Sequence, residues 1–358
     1  MKKSREISPK KWIIYVLSLL AVVLIGMGVL TYIVDPYFHF HAPLPGMNYR
    51  LYEQRYINDG ISRHFEYDTV ITGNSLSENI YTSHVDELFG CKSIKLPYSG
   101  AGFKELWESL ERTLSYNDSV EKVFVIIDIE DMLQDKDYLR YSDYPEYLYD
   151  DNPWNDAMYL WNKDVFYRGT LYNILMTIRG EESTSFDEYS VKDSETGKEV
   201  VMSYVDEIPT AEEADSWGYS LEEEQMVRDN IEQNIVRVVQ KYPDVDFCLI
   251  YAPASVARWA KYYIWGDLYM RMEACKTATD LLLEQENIHL YSFQDDFALV
   301  CDFDHYLDTL HYTVDVSKYM FEQIEAGRTE ITKENCEEYF ETISDFYYNY
   351  DYQSLQRE

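Results

Sequence analysis

The chain has 358 residues, with 65 acidic against 31 basic side chains, and carries a formal net charge of −34. So negative a body is a poor partner for nucleic acid or an anionic lipid surface, and the charge speaks to solubility rather than to chemistry. Its five cysteines form no Cys-x-x-Cys pair and no Cys/His ligand set, so they argue against a zinc site and fix no disulfide pairing.

The first element is an apolar run, Ile13 to Val34, interrupted only by Ser18, Gly26, Gly28 and Thr31. At about 1.5 Å per residue it reaches about 33 Å, enough for a bilayer core. Lys2, Lys3, Arg5, Lys10 and Lys11 precede it against one acid, Glu6, and the next basic residue beyond it is Arg50. The positive-inside rule therefore makes residues 1–11 a cytoplasmic tail and 12–34 a single-pass transmembrane anchor, with the rest of the chain extracellular. Tyr32-Ile33-Val34-Asp35 is a poor cleavage site, so the run reads as uncleaved. Residues 35–67 form an aromatic, membrane-proximal segment. It holds His39, His41 and His64, with no regular element to fix them as metal ligands.

Asp68 to Asn79 contains a short buried strand, Thr69 to Thr72, that runs into Gly73, turns at Asn74-Ser75 and enters a helix. Ser75 and Glu78 have the spacing of a capping box. A serine at a strand's carboxyl end, over the free N–H groups of a helix, also sits where open α/β sheets hold their ligands. A helix ending at Gly90, a strand Lys92 to Leu96, a small-residue turn Pro97 to Gly102, an amphipathic helix Phe103 to Leu114 and an apolar strand Lys122 to Asp128 follow. Three strand–helix units in series predict a mostly parallel α/β sheet over residues 68–327.

Residues 132–220 interrupt the alternation with an insertion crowded with Tyr, Trp and acids. It either builds its own small core or offers ring faces to sugars. The rhythm resumes with a helix Leu221 to Tyr242, a strand Asp246 to Tyr251, a long helix from about Val256 to Gln285, a strand Ile288 to Tyr291 and a helix Val314 to Ala326. Residues 328–358 read as an acidic tail, helical in part and outside the sheet.

The loop before the last of these helices holds two Asp-x-x-His pairs, Asp302/His305 and Asp308/His311. That spacing lets a carboxylate orient an imidazole whose other nitrogen faces a nucleophile. Asp308/His311 is the better placed, because Thr313 and the helix after it anchor His311 at the sheet's edge. The carboxylates Asp128, Glu130, Asp131 and Asp302 show no metal-ligand spacing.

With Ser first and Asp-His last in an α/β chain, the sequence resembles the SGNH (GDSL-like) hydrolase superfamily. Within it, the membrane-anchored envelope members are the most similar, such as the D-alanyl–teichoic acid transfer protein and polysaccharide O-acetyltransferases. Gly73-Asn74-Ser75 stands in place of the family's Gly-Asp-Ser, Ser99-Gly100 resembles the second block, and Asp308 and His311 match the last. The third block, usually Gly-x-Asn-Asp, here reads Asp128-Ile129-Glu130-Asp131, without an Asn.

The resemblance implies a flavodoxin-like three-layer α/β/α fold and a Ser75–His311–Asp308 triad, with an oxyanion hole from the Ser75 and Gly100 N–H groups and no cofactor. It also implies acyl transfer or ester hydrolysis on an envelope polysaccharide or teichoic acid, with a membrane-bound acyltransferase as a partner. The competing reading is a non-catalytic envelope assembly or glycan-binding protein on the same scaffold.

Overall fold

The computed structural model describes residues 8–141, 145–150, 152–212, 214 and 216–357, so the basic residues Lys2, Lys3 and Arg5 lie outside the described residues. The chain forms two units, one of residues 1–65 and 144–184 and the other of residues 66–143 and 185–358.

The first unit is built on the helix Pro9–Val34, which is long and apolar enough to cross a membrane. Pro9 opens it where a missing N–H costs nothing. Asp35 closes it in a left-handed conformation, its N–H bonded to the Thr31 carbonyl at 2.8 Å. The Asp35 carboxylate then accepts the N–H groups of His39, Phe40 and His41 at 3.0, 2.7 and 3.0 Å, and the Tyr159 hydroxyl at 2.8 Å. Those four donors turn the chain sharply off the helix end. His39 pairs with Asp156 at 3.0 Å, and His41 bonds the Tyr32 and Ala42 carbonyls. The ring of Tyr37 packs 5.3, 5.5 and 5.8 Å from those of Tyr52, Tyr56 and Tyr159. Tyr159 of the insertion thus belongs to a core, whereas Trp154, Trp161 and Tyr167 stay exposed.

The second unit is a six-stranded sheet of order β2-β1-β3-β4-β5-β6. β1 (Thr69–Gly73), β2 (Ser93–Pro97), β3 (Lys122–Ile127), β4 (Asp246–Tyr251) and β5 (Ile288–Ser292) are parallel; β6 (Glu330–Ile331) runs antiparallel to β5. Every residue of β3 after Lys122 is buried, as a central strand covered on both faces must be. Phe124 of β3 meets Phe89 and Phe321, from the helices Thr82–Phe89 and Val314–Glu325. Phe247 of β4 lies opposite Val123, hence on the other face of the sheet, and meets Trp107 of the helix Phe103–Tyr116. Helices therefore cover both faces in a three-layer α/β/α arrangement. Its first five strands follow the flavodoxin-like order, whose ligands sit at the strands' carboxyl ends.

Two elements differ from the sequence reading. The long helix expected over Val256 to Gln285 is two, Val256–Trp265 and Leu268–Leu282. Gly266 breaks it with a positive φ of 77°, a conformation costly for any residue with a Cβ, and its carbonyl accepts the Trp217 N–H at 2.7 Å. The tail does not stay outside the sheet. Gly327 and Thr329, both at positive φ, turn the chain back so that Ile331 pairs with Leu290 and is buried. The helix Cys336–Asn349 then stacks Tyr347 on Trp259 at 3.9 Å and Phe346 on Phe297 at 3.8 Å. Tyrosines in an acidic tail bury their rings as well as leucines do once the hydroxyl finds a partner, and that of Tyr347 donates to the Gln294 carbonyl at 2.7 Å.

Candidate active site

β1 delivers Ser75 to the carboxyl edge of the sheet through a turn that only glycine permits. Gly73 has φ of 156°, and a Cβ there would lie 2.9 Å from the Ile126 carbonyl and 3.1 Å from the Ser77 Cβ. The next residue caps the turn. Asn74 Oδ1 accepts the Leu76 N–H at 3.0 Å, and residues Ser75–Ser77 form a single 3-10 turn. The capping role read for Ser75 with Glu78 is therefore taken by Asn74, which leaves the serine hydroxyl free to face outward.

There Ser75 Oγ lies 2.7 Å from His311 Nε2, and His311 Nδ1 lies 2.6 Å from Asp308 Oδ2. The other Asp308 oxygen accepts the Leu310 and His311 N–H groups at 2.7 and 2.8 Å. Burial opposes ionisation of Asp308. The ring and backbone donors of His311, with the Leu310 N–H, outweigh it and hold the carboxyl down at about 2. A fixed carboxylate on Nδ1 selects the tautomer whose Nε2 accepts the serine proton.

The loop is tied to the serine turn from several sides. A bridge joins Tyr306 and Tyr312, the Tyr312 hydroxyl donates to the Leu76 carbonyl at 2.7 Å, and Asn79 Nδ2 donates to the Tyr312 carbonyl at 2.8 Å. The other Asp-x-x-His pair lies apart from Ser75. Asp302 and His305 are 3.5 Å apart, both substantially exposed, and line a separate cleft with Asp296, Asp315 and Tyr319.

Gly100 sits in the turn after β2, at φ of 70°, closed by the Ala101 N–H on the Tyr98 carbonyl at 2.9 Å. The Tyr98 N–H in turn bonds the Gly73 carbonyl at 2.9 Å, which places the turn beside the serine. Neither the Ser75 nor the Gly100 N–H has an acceptor among the described residues, so both are open to an oxygen that is not part of the protein. Beyond Gly100 stand two residues that sequence reasoning missed. The Tyr141 hydroxyl lies 3.0 Å, and Arg140 Nη1 3.3 Å, from the point that a Cβ on Gly100 would occupy. Arg140 has no acidic partner among the described residues. Nothing in the local sequence of the insertion distinguishes this arginine; its meaning comes from the turn it covers.

Behind the serine lie two buried carboxylates. Asn74 Nδ2 donates to Asp128 Oδ2 at 3.2 Å and Asp131 Oδ2 at 3.4 Å. Gln134 Nε2 holds the second oxygen of Asp131 at 2.5 Å, and Glu130 is taken by Arg258. Burial raises both carboxyls. The Glu130 charge adds to this at Asp128, and the charges of Asp128 and Glu130 push Asp131 well above the usual carboxylate range.

Lys95 of β2 secures the chain just past the serine. It is fully buried, and Nζ donates to the Glu78 and Ile80 carbonyls at 2.7 and 2.9 Å. Burial pushes its ammonium down to about 7, against the pull of Asp187 and Glu78. The contribution of a group depressed in the fold is fully present above its unfolded value and is lost as pH falls through the folded one. Stability should therefore rise between pH about 7 and 10.5. Lys95→Met is expected to remove that rise, as urea denaturation across this range will measure.

No family model matches the sequence, and no curated protein matches it. Among solved structures it is similar to "a putative platelet activating factor from Streptococcus pneumonia", at 14% identity over 76% of this chain and 90% of that chain, with a TM-score of 0.38. The chain's own topology and site geometry carry the fold: a mostly parallel six-stranded sheet between helices, with Ser75, His311 and Asp308 meeting at its carboxyl edge.

Proposed function

We propose that this chain is a membrane-anchored SGNH-type serine acyltransferase or esterase, acting outside the cell membrane on an envelope glycan. The reaction is O-acylation or O-acetylation of a polysaccharide, or D-alanylation of teichoic acid. The observation that carries the reading is the unbroken hydrogen-bond chain from Ser75 through His311 to Asp308. His311 Nε2 takes the hydroxyl proton as Ser75 Oγ attacks an ester or thioester carbonyl; the proton then passes to the leaving group, and an acyl-enzyme remains. The Ser75 and Gly100 N–H groups, without acceptors among the described residues, hold the oxyanion. A glycan hydroxyl, or water, takes the acyl group in the second half.

Arg140, without an acidic partner among the described residues, favours substrates that carry a phosphate or carboxylate near the ester. The helix Pro9–Val34 supports placement at the membrane, where a membrane-bound acyltransferase would supply the acyl group.

One observation favours a second reading, a non-catalytic envelope assembly or glycan-binding protein: carboxylates stand where the SGNH pattern places an oxyanion-binding Asn. A fluorophosphonate probe separates the two. Labelling at Ser75 that disappears in His311→Ala is the expected result, read by mass spectrometry of the labelled peptide. An unlabelled wild-type protein leaves the scaffold reading.

A further inference from the structure

The helix Pro9–Val34 does not stand alone in the first unit. The Trp161 indole N–H donates to the carbonyl of Leu24 at 2.8 Å, deep within the apolar run. It can come so close because Gly28 faces it: a Cβ there would lie 3.2 Å from the indole ring. On the same short segment the Tyr159 hydroxyl reaches the other way, to Asp35 just past the helix end. Thr170 Oγ1 meets Thr31 Oγ1 at 3.3 Å. The backbone near residue 160 is thus held between the levels of Leu24 and Asp35, with the Trp161 side chain directed back along the helix.

A bilayer core of about 30 Å takes up about twenty residues of helix. Starting from Lys11, it ends near Thr31. Leu24 then lies about 10 Å inside that boundary, the depth at which interfacial segments bury their apolar side. The exposed side chains of this segment fit. Trp154, Met158 and Trp161, at spacings of four and three, are exposed at 88%, 59% and 47%. Scattered exposed apolar residues need no explanation, but Trp161 is bonded to the membrane helix itself, and Met158 and Trp154 are exposed on the chain leading to it.

We propose that residues 154–167 form a second membrane-contacting surface, seated in the headgroup and upper acyl region of the outer leaflet, with lipid as its occupant. The inference rests on the reading of Pro9–Val34 as a membrane anchor. The occupant follows from continuity: the surface is hydrogen-bonded to a helix whose remaining apolar side chains are open to the same surroundings. The protein is then held by a helix and a footing beside it, which restrains the swivel of a single tether.

The test uses the full chain in phosphatidylcholine vesicles whose acyl chains carry bromine near the headgroup end, with tryptophan emission as the readout. Trp12→Phe keeps Trp154 and Trp161; the Trp154→Phe/Trp161→Phe variant keeps Trp12; the triple variant supplies the baseline. The expected result is that both lose emission beyond the baseline, Trp12→Phe more with shallow than with deep bromine. Quenching in the Trp12-containing variant but none in Trp12→Phe overturns the footing and leaves the anchor standing. Absence of quenching in both overturns the anchor reading and the footing with it.

Discussion

Replacing Ser75 with alanine is expected to remove turnover of an activated ester almost completely while leaving the fold intact. Among the described residues the hydroxyl bonds to His311 at the surface of the turn, and it contributes nothing to the cap that Asn74 provides. In serine hydrolases, loss of the nucleophile costs about 10⁶ in kcat. A residue of about 10³–10⁴ over water survives through the oxyanion donors and binding. Both proposed donors are backbone groups and persist in Ser75→Ala. Asp308→Asn is expected to cost less, about 10⁴, because the ring keeps its place but loses the partner that fixes its tautomer. Steady-state kinetics with a p-nitrophenyl ester, beside a circular-dichroism spectrum for the fold, measures both. If Ser75→Ala turns over the ester at the wild-type rate, Ser75 is not the nucleophile.

The second large effect concerns stability. Asn74→Asp is nearly isosteric, yet it is expected to destabilise the second unit by about 3–5 kcal/mol, the range for an uncompensated charge in a buried polar cluster. Asn74 Nδ2 is a donor to both Asp128 and Asp131. An aspartate would withdraw that donor and add a third carboxylate to two whose ionisation is already disfavoured. Asn74→Ala, which only withdraws the donor, should cost about 1–3 kcal/mol.

The pH dependence identifies the cause. A carboxyl raised in the fold favours the native state below its ordinary value, and that advantage is lost as pH rises through the raised one. The Asn74→Asp deficit should therefore shrink as pH falls toward the carboxylate range and be largest at neutral pH. Thermal denaturation at pH 5 and 7 gives the comparison. An equal deficit at both would mean that packing, not charge, is responsible.

Asn74 and the residues after β3 also account for each other. One amide at 74 serves the carboxylates of both Asp128 and Asp131, so neither side of the contact makes sense alone.

What was legible in the sequence was local. The unbroken apolar run of β3, the Gly73-Asn74-Ser75 turn and the spacing of Asp308 and His311 each announce themselves within a few residues. The rest depends on partners far along the chain. That Asn74 displaces Ser75 as the cap follows from its bonds to Asp128 and Asp131. Arg140 gains its place only because Gly100 leaves room beneath it. Two residues, Glu330 and Ile331, carry too little pattern to announce a strand, and their pairing is decided by the exposed edge of β5.

That last strand bears on how the molecule reaches its fold. β1 to β5 arrive in sequence order, each able to pair with what came before. Residues 330–331 pair with the edge of β5, and Tyr347 and Phe346 stack on Trp259 and Phe297. Those residues come after every other strand of the sheet in chain order. Until they emerge, the nascent chain carries an unpaired strand edge and uncovered aromatic rings, the features through which incomplete sheets associate with one another. The sheet is thereby completed only once a segment made after its other strands has folded back.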